Sequence, residues 1–175
     1  MRGARGATRP TLLLGAALVA ALAGAPGALA APPVTQPQRL ISIGFMAGEP
    51  SGGTFRMINP LHPTHAWEVG LGWSMAGDNG LDFHAQHQWH LATVTRSEKG
   101  ATTFYIGAGG RVKQVDGTRI GVRGAVGLNY LAGMKPRSWE AYIELAPIVD
   151  LTPDNDTWLD AILGVRWFIP GGTGR

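Results

Sequence analysis

Any chemistry this chain can do rests on its five histidines and on a set of charged side chains at even spacing. His84, Gln86, Gln88 and His90 alternate along one stretch, His87 falls at the odd phase between them, and His62 and His65 lie upstream. The alternation invites a metal-site reading. In an extended strand, however, six residues at a rise of ~3.3 Å set His84 and His90 close to 20 Å apart, and His87 points to the other face. They cannot share an ion, so no metal is expected and the ladder reads as hydrogen-bonded filling. A serine hydrolase needs a His beside a Ser and a carboxylate to orient the imidazole. No His here is followed two positions on by Ser, so no enzyme is expected. Gly107-Ala108-Gly109-Gly110-Arg111 is glycine-rich like a phosphate loop, yet it lacks the Lys-Ser/Thr ending and opens no helix, and no cofactor is expected.

What remains is a charge constellation: Glu68, Asp82, Glu144 and Asp150 against Arg111, Arg123 and Arg166, with Tyr142 and His84 as neutral partners. Enclosed together, such groups make either a ring that selects or gates ions or a structural plug. Charges held at low dielectric persist only when paired, which favours the plug.

The elements that position these groups are strands. Beyond Arg39 the hydrophobic period is two, which predicts an all-β chain with strands near Arg39–Ala47, Thr54–Asn59, His65–Met75, Leu81–Val94, Thr103–Lys113, Arg119–Tyr130, Trp139–Leu151 and Trp158–Ile169. Turn-forming stretches separate them: Gly48 to Gly53, Ala76 to Gly80, Val115-Asp116-Gly117 and Thr152 to Asp156. One face, with residues such as Ile43, Trp73, Phe83, Leu128, Ile143 and Leu163, contains no Asp, Glu, Lys or Arg. The other carries the charges, including Arg56, Glu140 and Asp160, among many glycines and alanines. A soluble lipocalin-like barrel would turn the apolar face inward and crowd its surface with Lys, Thr, Glu and Ser. A transmembrane barrel turns the apolar face to lipid and packs the other into a narrow lumen. The small polar face fits the lumen, because eight strands leave room only for side chains. Its cations are expected to be arginines, whose rigid fork binds two carboxylates. Trp67, Phe104, Tyr130, Trp139 and Trp167 lie toward strand ends on the apolar face, where interfacial aromatics belong. Pro147, within the seventh strand, predicts a bulge because it brings no N–H to the ladder.

Length and charge agree with one domain in the cell envelope. The 175 residues include 26 Gly and no Cys, so disulfide scaffolds and thiolate metal sites are excluded. The formal charge is +3, but setting aside Arg2, Arg5 and Arg9 leaves 12 bases against 12 acids, so nothing points to nucleic acid. Those arginines precede an apolar run from Thr11 to Gly24 and an Ala28-Leu29-Ala30 cleavage pattern, which reads as a signal peptide over residues 1–30. A Pro-rich lead-in over 31–38, a barrel over 39–169 and a flexible tail over 170–175 would follow.

With Ser42-Ile43-Gly44-Phe45, Val69-Gly70-Leu71-Gly72-Trp73-Ser74, Gly107-Ala108-Gly109-Gly110-Arg111, Glu144-Leu145-Ala146-Pro147 and Gly164-Val165-Arg166-Trp167-Phe168 in this order, the mature chain resembles the small OmpA/OmpX-type outer-membrane barrels. More closely, it is similar to a group of poorly characterised bacterial barrel proteins, spirochaetal ones included, that share Gly-x-Gly-Gly-Arg and Glu-x-Ala-Pro stretches. The resemblance implies an eight-stranded antiparallel up-and-down transmembrane barrel with periplasmic termini and outer-membrane lipid around it. It also implies transient handling by barrel assembly machinery and periplasmic chaperones. The expected product is a monomer with a structural or envelope-interaction role. The alternatives are a small pore for ions or solutes and a soluble periplasmic lipid-binding barrel.

Overall fold

A computed structural model of the protein describes residues 40–75, 79–132, 139–153 and 155–169. The expected signal peptide, lead-in and tail lie outside the described residues. Eight strands run in order: β1 Ile41–Gly48, β2 Ser51–Ile58, β3 His65–Ser74, β4 Gly80–Ser97, β5 Gly100–Gln114, β6 Thr118–Ala132, β7 Trp139–Thr152 and β8 Thr157–Phe168. Each pairs antiparallel with the next, and β1 pairs with β8 to close the barrel.

The pairing fixes the barrel's dimensions. Following partners around the wall from Ile43 through Phe55, Val69, Ala85, Gly110, Val122 and Val149 leads to Thr157, whereas β1 pairs Ile43 with Trp167. The offset between Thr157 and Trp167 is a stagger of ten residues. With eight strands and ordinary strand spacing, that stagger sets a tilt of about 40° and a backbone radius of about 8 Å. One end of the barrel, where Ile41 and Phe168 lie, is the termini end; the opposite, hairpin end carries the Glu49-Pro50 and Val115–Gly117 connections.

Side chains alternate in and out along each strand as the period-two pattern requires. Phe45, Leu159 and Leu163 stand on the outer face at 71%, 64% and 59% exposure, while Arg56, Glu68, Glu140, Glu144 and Arg166 are buried inside. The apolar face is therefore outside, and the lipid-carrier arrangement with an apolar interior is not the one the chain adopts.

Several expectations are corrected. Ser51, Gly52 and Gly53 belong to β2, so the first turn shrinks to Glu49-Pro50; small residues let β2 pair at Gly52 with both Met46 and Gly72. Strands β4 and β5 continue to Ser97 and from Gly100, because the stretch expected as a loop pairs through its threonines after register shifts at His90/Ala92 and Thr93/Thr95. Pro147 makes no bulge: bridges between β6 and β7 stop after Arg123↔Ile148 and resume at Val126↔Leu145 in the same register, and the actual shift is at Ile120/Gly121. Gly124, bare of a side chain, gives the proline ring room there, while Pro147 keeps its pairing with Leu159. Lys113 is buried in the interior, so the inner cations are not all arginines. The polar face also carries apolar side chains. Ile58, Ala66, Leu131 and Phe168 cluster inside the termini end, and Met46, Tyr142 and Ile162 cluster farther in.

Closure at the β1–β8 seam needs a glycine. A β-carbon on Gly44 would come within 2.6 Å of the Arg166 Cα, a backbone atom that cannot yield. Gly44→Val is expected to cost at least about 3 kcal/mol and to lower the yield of closed barrel, read as loss of the compact band of unboiled protein on a denaturing gel.

Candidate functional site: the charged lumen

The strand tilt sorts the inward side chains into three layers. At the termini end, Glu140 of β7 is bracketed by two arginines: Arg56 Nη1 lies 2.6 Å from its Oε2 and Arg166 Nε 2.8 Å from its Oε1. Asn129 Nδ2 donates to Glu140 at 3.0 Å and Ser42 Oγ at 3.3 Å. Arg166 also reaches Glu68 through Nη1 at 2.9 Å and stacks over the Tyr142 ring at 4.0 Å. Its Nε and Nη1 stand at ion-pair distance but outside hydrogen-bond geometry. Glu68 further accepts from Thr54 at 3.2 Å and from Gln88. Arg56 Nη2 lies 2.5 Å from His90 Nε2, so the imidazole accepts there. The Ile58, Ala66, Leu131 and Phe168 cluster lies at this same end of the lumen.

The middle layer converges on one carboxylate. Glu144 Oε1 receives Arg123 Nη2 at 2.8 Å; its Oε2 receives Gln86 Nε2 and Tyr105 Oη, each at 2.8 Å. Arg123 Nη1 closes the triangle on Gln86 Oε1 at 2.5 Å.

Toward the hairpin end the bonding loosens. Arg111 Nη2 grips both oxygens of Asp150 at 3.0 and 3.1 Å, but its Nε stands 3.7 Å from Asp82 and its Nη1 3.9 Å from Asp160. His84 Nδ1 is 3.6 Å from Asp82 Oδ1. Trp158 donates its indole N–H to Asp150 at 2.9 Å, with Lys113 and Arg119 over its ring at 5.9 and 5.8 Å.

The seven charged residues singled out from sequence thus occupy three layers. Glu68 meets Arg166, Arg123 meets Glu144, and Asp82 and Asp150 meet Arg111. Sequence reasoning placed Arg56, Glu140 and Asp160 on the inner face without assigning them to the network, and missed Tyr105 and Lys113; strand parity was the signal available for all five. His84, Gln86, Gln88 and His90 all point inward and are buried. Trp67, Phe104, Tyr130, Trp139 and Trp167 all lie in the termini half of the barrel, with Tyr130 and Trp139 5.8 Å apart and Phe45 packed edge-on to Trp167. Outside, His87 packs between Trp67 and Trp89 and against His65. Among the described residues, no three His, Cys, Asp or Glu side chains are placed to hold a metal ion.

Burial makes these pairs unforgiving. Arg123→Met leaves Glu144 without its cation and is expected to cost about 3–5 kcal/mol, whereas Arg123→Met with Glu144→Gln restores much of the loss. Unfolding midpoints in urea for the wild type, both single variants and the double variant measure the coupling.

No family model matches this chain, and no curated protein does. Among solved structures it is similar to the N-terminal β-barrel domain of Pseudomonas aeruginosa OprF, with a TM-score of 0.56 and 15% identity over 77% of this chain and 100% of that one. At that identity the likeness speaks for the fold alone, and it supports the closed antiparallel β-barrel anticipated from the sequence. The narrower likeness to spirochaetal proteins finds no counterpart in these comparisons.

Proposed function

We propose that this chain is an integral outer-membrane barrel, delivered by the segment 1–30, with a structural or envelope-interaction role and a lumen plugged by its own side chains. The observation that carries the reading is the inverted burial: apolar residues cover the outside of the closed wall and ion pairs fill the inside. In water such a surface would be a severe aggregation liability. In a bilayer it is the required one, since lipid demands an apolar exterior and a wall without free edges. The ten residues of β3, tilted by about 40°, rise about 25 Å, the height of an outer-membrane apolar band. Outer-membrane lipid is then the permanent partner, and assembly machinery and periplasmic chaperones act only during biogenesis. A closed ring offers no edge for another chain, in keeping with a monomer.

A small pore is the second reading, favoured by the loosely bonded groups around Asp82 and His84. It would require the Glu140 and Glu144 layers to part. We expect planar bilayers holding the wild type to be electrically silent; steady conductance altered by Arg123→Ala would establish the pore instead.

Two measurements test the membrane reading. Protein refolded into micelles should migrate as a compact band until boiled and should precipitate when detergent is removed; solubility in plain buffer would overturn the proposal. Leu163→Arg, mid-height on the outer face, should destabilise the barrel in lipid vesicles by about 2–4 kcal/mol, whereas Leu61→Arg, in the β2–β3 connection, should cost about 0–1 kcal/mol.

A further inference from the structure

We propose that the hairpin half of the lumen holds a monovalent cation, taken up with part of its hydration water, between Asp82, His84 and Asp160. This goes beyond the plug and does not depend on where the barrel resides. The other layers satisfy their carboxylates directly, with nitrogen or oxygen donors at 2.6–3.3 Å around Glu140 and at 2.8 Å around Glu144. The upper layer does not. Both oxygens of Asp82 and Oδ2 of Asp160 have no hydrogen-bond partner, although the two residues are only 1% and 3% exposed. Arg111 is committed to Asp150 and reaches the other two only at 3.7 and 3.9 Å. That is too far for a hydrogen bond, so Arg111 leaves these oxygens unsatisfied.

A second observation points into the same place. His84 is fully buried on the same strand and face as Asp82, and neither of its ring nitrogens has a hydrogen-bond partner. A neutral imidazole presents one donor and one acceptor, so it can hold a water oxygen or a hydrated ion in either tautomer. Among the described residues buried in this half, Asp82, Asp150 and Asp160 outnumber Arg111 and Lys113 by one, with Arg119 at the rim over Trp158. An excess of that kind is costly unless a cation answers it. Among the described residues no three ligating side chains are placed to chelate a metal ion, so the guest keeps part of its water, and a single positive charge answers the excess of one acid. It enters past Trp158, and the Arg123–Glu144–Gln86 triangle forms the floor.

Trp158 reports on this layer through Asp150, which it shares with Arg111. The test is its emission, taken as the difference between the full chain in zwitterionic micelles and its Trp158→Phe variant. NaCl, KCl and CsCl are titrated against choline chloride at constant ionic strength, which separates occupancy from screening. A saturable change with the alkali ions and none with choline is expected. Asp82→Asn should raise the half-saturating concentration about tenfold or more, while Asp156→Asn, at the rim, should leave it within about twofold. Should Asp82→Asn not give the compact band, Asp160→Asn is read in the same way. A linear or absent response, an equal response to choline, an unchanged midpoint in a folded Asp82→Asn, a shift of the same size in Asp156→Asn, or tighter binding of Mg²⁺ or Ca²⁺ would each overturn the assignment.

Discussion

Pairing guanidinium with carboxylate inside a narrow wall is the interaction on which the rest of this barrel depends. Eight strands staggered by ten residues enclose a space that side chains must fill, and here arginines and acids supply much of the filling. Either partner alone would be a desolvated charge; together, as Arg56 and Arg166 around Glu140 or Arg123 on Glu144, they neutralise and orient one another. The surrounding amides, hydroxyls and imidazoles then supply the hydrogen bonds that the ion pairs leave over. Gln86 illustrates this by donating to Glu144 while accepting from Arg123.

The glycines answer the same constraint. Long inner side chains on one strand need a bare neighbour on the next, and the structure supplies it repeatedly. The Tyr105 ring lies where a side chain on Gly127 would be, the Tyr142 ring takes the corresponding place beside Gly164, and the His84 ring packs on Gly70. A high glycine content, which weakens an ordinary strand, here lets bulky inward groups and closely spaced walls coexist. The outer face follows by default: with polar groups inside, every strand presents its aliphatic and aromatic residues outward.

The lumen is not uniform along its axis. An apolar cluster lies at the termini end beside the doubly bridged Glu140, a compact triangle holds the middle, and near the hairpins one arginine is shared by three aspartates at unequal distances. Direct bonding between inner side chains is therefore densest in the lower two layers and loosest in the upper one.

Much of this architecture is legible in the amino-acid sequence. The period-two alternation from Ile41 onward assigned eight strands and sorted nearly every charged residue to one face, because a strand has only two faces and consecutive residues must take opposite ones. The same alternation put His84 and His87 on opposite sides, and the six-residue span between His84 and His90 set those two too far apart to share an ion. It did not say which charges would meet. Arg166 is close in sequence to Asp160, yet its partners are Glu68 and Glu140, far along the chain, because closure between β1 and β8 and the ten-residue stagger bring β3, β7 and β8 to one level. Nor could alternation foresee that Pro147 would interrupt a ladder without shifting its register, since the space it needs comes from Gly124 on a neighbouring strand. Facing is a local property of the backbone and can be read from the chain alone. Partnership depends on how far each strand slides past the next, and that is settled only when the whole ring closes.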